Sequence, residues 1–140
     1  LSNKDCFNYE ESVAREFLSK FPARIDNAES FAMTNRVILA KSVSCVGIDV
    51  SLGALPFEED AISSATEFEF LPGINLLTIS ANDLVIMKAF AARGKDWEDI
   101  RGIIVRSRNV IDLDYIQSHL IPLAELKEEP EIVSKLLAMF

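Results

Sequence analysis

Two stretches of this sequence place polar chemistry where the surrounding pattern would otherwise have none. The first is Gly47-Ile-Asp49-Val-Ser51-Leu-Gly53. Alternation along an extended strand puts Ile48, Val50 and Leu52 on one face and Gly47, Asp49, Ser51 and Gly53 on the other. Aspartate is disfavoured in strands. Here its same-face neighbours are very small, which leaves room around the carboxylate for a metal ion or a phosphate. The plain alternative is a strand aspartate on a solvated face. The second stretch runs from Ser80 to Ile100, and every residue from Leu84 to Ala92 is apolar except Lys88. A helix that is apolar all round is a buried one. An ammonium on such a helix must reach water along its own stem or find an anion. The candidate anions are a carboxylate, such as Asp96 or Asp49, and a ligand phosphate. A phosphate contact would be charge-assisted, roughly twice as strong as a neutral hydrogen bond.

The elements that must position these residues follow from periodicity and punctuation. Residues 8–21 read as an amphipathic helix, with Val13, Phe17 and Phe21 on one face, joined by Ala14 and Leu18, and Pro22 at its end. Arg36 to Ala40 and Val46 to Leu52 read as an antiparallel pair of strands across a polar turn. Glu67 to Leu71 and Leu76 to Ile79 flank Pro72-Gly73 and predict a second hairpin. Ser80 opens a helix, with Asp83 in the capping-box position, that runs to about Ala92 and stops at Gly94. Asp96 is expected to cap the next helix, to about Arg106, with Glu98 and Asp99 in its first turn. Leu113 to Glu125 and Pro130 to Met139 complete the helical half, with Pro130 in a first turn. The predicted order is one helix, four strands, then four helices: an α+β chain whose sheet precedes its helices.

Composition narrows the function classes. The chain has 140 residues, enough for one domain, and 49% of them are hydrophobic, so it can bury a core. No apolar run approaches the ~20 residues that a membrane helix needs, and with no charged-then-apolar pattern in the first residues a secretory leader is not expected. The chain opens on Leu1 rather than Met, which reads as a piece of something longer. Cys6 and Cys45 stand far apart and His119 is the single histidine, so a zinc site built on Cys and His is not expected. Both thiols are expected to be free in a reducing cytoplasm. The net charge of −8 argues against a surface that grips nucleic acid throughout. From Lys88 to Arg108, however, six basic residues stand against three acidic ones. A basic region inside an acidic chain suits a small anion, or is simply a solvated helix face. Trp97, Ile100 and Ile104 share a helical face and are expected in the core. His119 is expected to be structural or solvated, and Glu125, Glu128, Glu129 and Glu131 to be surface.

The two chemical stretches also carry a resemblance. Gly47-Ile-Asp-Val-Ser-Leu-Gly-Ala-Leu-Pro-Phe-Glu58, then Ser80-Ala-Asn-Asp-Leu-Val-Ile-Met-Lys-Ala-Phe-Ala-Ala-Arg93, then Lys95-Asp-Trp-Glu-Asp-Ile100 resemble the DNA polymerase beta-like minimal nucleotidyltransferases grouped with the AbiEii-type toxins. Ile121-Pro-Leu-Ala-Glu-Leu-Lys-Glu-Glu-Pro-Glu131 fits the same pattern, so the likeness runs from about Phe21 to the C-terminus. It implies an antiparallel or mixed nucleotidyltransferase sheet over residues 1–79 and a helical half over 80–140, packed as one domain. It also implies transfer of a nucleoside monophosphate from a nucleoside triphosphate, with Mg²⁺. By that resemblance Asp49 is the third metal-binding carboxylate. Lys88 is catalytic or nucleotide-binding; Ser51, Arg93 and Lys95 touch the nucleotide, and Asp96 and Asp99 support them. The implied partners are the triphosphate, an RNA acceptor and an antitoxin protein, with no membrane. The sequence departs from the family in one place: no Gly-Ser or Gly-Gly turn and no Asp-x-Asp pair precede Asp49. The expectation is therefore a C-terminal portion that binds metal weakly and is inactive by itself. The alternative is a non-catalytic interaction module that kept the fold and lost the metal site.

Overall fold

The computed structural model describes residues 3–53 and 55–140, with side chains described from residue 9 onward. The thiol expected at Cys6 lies outside the described side chains. The chain forms two compact units, Leu1–Leu55 and Pro56–Phe140, and its architecture is α+β.

The first unit runs α1 (Asn3–Lys20), α2 (Ala28–Asn35), β1 (Val37–Lys41) and β2 (Gly47–Ser51). The strands pair antiparallel, with Leu39 opposite Asp49 and Lys41 opposite Gly47. Ile38 and Ala40 are buried on one face of β1, and Ile48 and Val50 are half-buried on the matching face of β2. That is the alternation the sequence predicts. The inner face meets Ala14 of α1 and Ala32 of α2, both without exposed surface, with Phe17, Leu18, Met33, Val50 and Leu52 packed around them. Phe17 and Phe21 stack at 4.8 Å between ring centroids. α2 is a helix that the sequence reading lacks. It is eight residues long, its N-cap Asn27 is left-handed, and no side chain caps it. Arg36, expected to open a strand, instead ends α2 in a left-handed conformation (φ 55°). Its guanidinium grips both Glu10 oxygens (2.7 and 3.1 Å) and the Gly53 carbonyl, tying α1 to the end of the β1–β2 hairpin.

The second unit runs α3 (Pro56–Ser63), β3 (Thr66–Leu71), β4 (Ile74–Thr78), α4 (Ala81–Ala91), α5 (Gly94–Ser107), α6 (Leu113–Leu126) and α7 (Glu131–Leu137). α3 is also additional to the predicted elements. It opens on Pro56 with Glu58 and Glu59 in its first turn and buries Phe57 and Ala61. The four strands form two separate two-stranded sheets rather than one. The predicted order of one helix, four strands and four helices is thus corrected to two helices, a hairpin, a helix, a second hairpin and four helices.

α4 is the centre of this unit and packs on α5, α6 and α7. Its Val85, Ile86 and Ala89 have no exposed surface, and Ile100, Ile116 and Leu120 meet them in the same fully buried state. Each of the valine, isoleucine and leucine side chains among them contributes about 1.5–3 kcal/mol on burial. Trp97 is in this core as expected, and Ile103 is buried in the place predicted for Ile104, which is half-buried. The β3–β4 ribbon contrasts with that core, for every residue of both strands is exposed. Its turn follows the sequence signal. Gly73 takes φ 76°, and its amide donates to the Glu69 carboxylate at 2.9 Å.

Candidate functional site

In the first unit, Asp49 stands on the outer face of β2, as alternation requires, and is exposed. Part of the room beside it, on the Gly47 side, is occupied. After Pro22 the chain runs alongside β1: Ala23 bridges Ala40, and the Arg24 amide donates to the Leu39 carbonyl at 3.0 Å. The Arg24 side chain then crosses the outer face and its Nη2 donates to Asp49 Oδ1. It passes so close to Gly47 that a Cβ there would lie 2.9 Å from Nη1. The small residue at position 47 therefore accommodates a guanidinium. Ser51 is exposed on the same face, and its hydroxyl accepts from the Gly53 amide at 3.4 Å. Arg24 is the residue that sequence reasoning missed. It lies outside every periodic segment, and only the strand-like bridge at Ala23 carries it to Asp49.

Mg²⁺ takes near-octahedral oxygen ligands, usually one or two carboxylates plus phosphate and water. Asp49 brings one carboxylate and shares it with a cation. Among the described residues, no three His, Cys, Asp or Glu side chains converge on a point that could hold a metal. One carboxylate neutralised by a guanidinium does not fit a two-metal centre.

In the second unit, Lys88 finds the internal anions that its apolar helix demands. Nζ donates to Asp99 Oδ2 at 2.7 Å and lies 3.7 Å from Asp96 Oδ1. Asp96 is 3% exposed and also receives Arg93, Nε to Oδ2 at 2.6 Å and Nη2 to Oδ1 at 3.2 Å. The expected role of Asp96 as an N-cap is corrected. Arg93 is the N-cap, and Asp96 is the third helical residue, reaching back to the Arg93 amide at 3.3 Å. The Arg93 hydrogen bond lowers the Asp96 pKa against the opposing effect of burial. The Lys88 hydrogen bond likewise lowers Asp99. Arg93, bonded to Asp96, is raised in turn. Four of the predicted residues thus meet in one network, Arg93–Asp96–Lys88–Asp99, which clamps α4 to α5. Lys95 is exposed at the start of α5, and its charge adds to the lowering of Asp99.

A second polar cluster gathers at the start of α4. Ser80 caps the helix as predicted, accepting from the Asp83 amide at 3.1 Å and donating to Asp83 Oδ2 at 2.6 Å. Asp83 is 2% exposed, and its Oδ1 accepts from the Tyr115 hydroxyl at 2.8 Å. Burial, followed by the Asp83 hydrogen bond and charge, raises the Tyr115 pKa. His119 packs on this tyrosine at 4.2 Å between centroids, and its Nδ1 lies 2.8 Å from the Tyr115 carbonyl oxygen, a structural placement. Asp112 caps α6, its Oδ1 accepting from the Tyr115 amide at 2.9 Å. Cys45 is a free, exposed thiol in the β1–β2 turn. No helix among the described residues is long and apolar enough to cross a membrane. The sequence matches no protein-family model, no curated protein and no solved structure.

Proposed function

We propose that this chain is the C-terminal portion of a nucleotidyltransferase-like protein, and that by itself it transfers no nucleoside monophosphate. One observation carries the reading: Asp49 stands outward on a strand among small residues, as a metal-facing carboxylate would, yet its partner is the Arg24 guanidinium. Phosphoryl transfer without covalent catalysis depends on positioning and on neutralising the charge of the phosphates. A single carboxylate already joined to a cation supplies neither metal. In the wider protein, Asp49 would be a third carboxylate beside two others, with Mg²⁺ supplying the Lewis acidity.

The rival reading is an interaction module that kept the fold without the chemistry. It is favoured by the second unit, where Lys88 and Arg93 are each joined to a carboxylate of the same chain rather than left free for a phosphate. Titration of the chain with Mn²⁺ and ATP, followed by water-proton relaxation, separates the two. The expected result is no site tighter than millimolar in the chain as it stands, and a Mn²⁺-dependent ATP site in Arg24→Gln that disappears when Asp49→Asn is added. Absence of any site in Arg24→Gln would favour the interaction module. Nucleotide transfer by the unaltered chain would overturn the inactive reading.

A further inference from the structure

The last helices of the second unit frame a cavity that none of the chemistry above uses. It holds about 470 Å³ and is walled by Ile104, Val105, Ile111, Leu113, Met139 and Phe140, with one charged residue, Arg108, in the lining. Ligand sites are typically about 300–1,000 Å³, largely apolar, with a few polar groups that fix orientation. This cavity meets each of those conditions. Arg108 ends α5 and is exposed. Among the described residues it makes no ion pair and no side-chain hydrogen bond. Lys88 and Arg93, by contrast, are joined to aspartates, and among the cations of α5 without such a partner Arg108 is the one that lines this cavity. The carboxylate of Asp112, four residues along, is already engaged with the Tyr115 amide. An unpaired guanidinium beside an apolar cavity is complementary to a molecule with an apolar body and a planar anionic head. Guanidinium and carboxylate can form two parallel hydrogen bonds, a geometry an ammonium cannot reproduce.

We propose that this cavity binds a small apolar carboxylic acid, its hydrocarbon against Ile104, Ile111 and Leu113 and its carboxylate on Arg108. The site is independent of the nucleotidyltransferase reading and shares no residue with it. An aliphatic acid and an aromatic acid offer the same chemistry, and the test distinguishes them. The chain is titrated by calorimetry with decanoate, below its micelle concentration, and with 2-naphthoate. The neutral amides of both acids serve as controls, and methyl NMR shifts locate the site. The expected result is one saturable site for at least one acid, with shifts centred on Ile104 and Ile111. Binding should weaken at least tenfold in the matching amide and in Arg108→Gln, and Arg108→Lys should recover part of the loss. Saturation by decanoate alone assigns an aliphatic ligand, and by 2-naphthoate alone an aromatic one. Filling the cavity with Ile104→Trp should abolish binding in a chain whose circular dichroism is unchanged. Equal affinity for acid and amide, indifference to Arg108→Gln, or no saturable binding would overturn the proposal.

Discussion

Asp96 joins two cations in a setting with almost no water, and its behaviour with pH follows from that position. Its folded pKa is lowered, chiefly by Arg93, and that of Asp99 is lowered by Lys88. A lowered carboxylate contributes stability above its unfolded pKa and loses it as pH falls through the folded value. The contribution is therefore complete above about pH 5 and declines below about pH 4. Tyr115 has the opposite sense. Its raised pKa means the neutral phenol is favoured in the fold, so stability is present below about pH 10 and lost as pH rises further. Urea unfolding across pH should show both declines. Asp96→Asn should cost about 2 kcal/mol at pH 7 and flatten the acid limb, while Tyr115→Phe should flatten the alkaline one. An acid limb unchanged by Asp96→Asn would refute the assignment.

At the scale of elements, the α4–α5 junction shows how a helix ends without the residue that ordinarily ends it. The sequence places the stop at Gly94, but the chain turns at Ala92, in the left-handed region at φ 58°, and Gly94 opens α5. The Ala92 amide still closes the turn onto the Lys88 carbonyl at 3.0 Å. Alanine carries a Cβ penalty in this conformation that glycine does not. Ala92→Gly should therefore raise stability by about 1 kcal/mol, read as a higher melting temperature. The N-terminal cap of the same helix works in the ordinary direction, and Ser80→Ala should cost about 1 kcal/mol. A stabilising Ser80→Ala would mean that the Asp83 and Tyr115 cluster does not depend on its cap. The helices missing from the sequence reading differ in kind. α3 had its signals in Pro56, Glu58 and Glu59, whereas α2 offered less, an asparagine at its N-cap and Glu29 in its first turn, and Asn27 is left-handed with no side-chain cap bond.

Across the molecule, order is distributed unevenly. Local stability follows buried apolar contacts, and segments without them open at low cost. A two-stranded ribbon is marginal by itself in water, and β3–β4 exposes Phe68 (58%), Phe70 (60%) and Leu77 (66%). Hydrogen exchange should accordingly divide the second unit. Amides of Val85, Ile86, Ala89 and Ile100 should be the most protected, and those of Thr66–Leu71 and Ile74–Thr78 should exchange orders of magnitude faster. Equal protection in the ribbon and in α4 would show that the ribbon is held by contacts beyond its own pairing. Trp97, 6% exposed with the Lys135 ammonium 4.2 Å over its ring, is a built-in fluorescence reporter for this core.

The sequence by itself determined whatever depends on neighbours along the chain. Both hairpins, the apolar face of α1, the Ser80 cap, the outward side of Asp49 and the need of Lys88 for an anion all follow from period, punctuation and local charge. Tertiary structure alone decided which anion Lys88 receives: Asp96, Asp49 and a ligand phosphate were the candidates, and the fold of α5 against α4 brings Asp99, not among them, to 2.7 Å, with Asp96 at 3.7 Å. It also decided that Arg24 pairs with Asp49, since 25 residues separate the two and no local pattern spans that distance. Periodicity reports which face of an element is turned inward. Which side chain from elsewhere meets it is set by packing between elements, which the linear pattern does not encode.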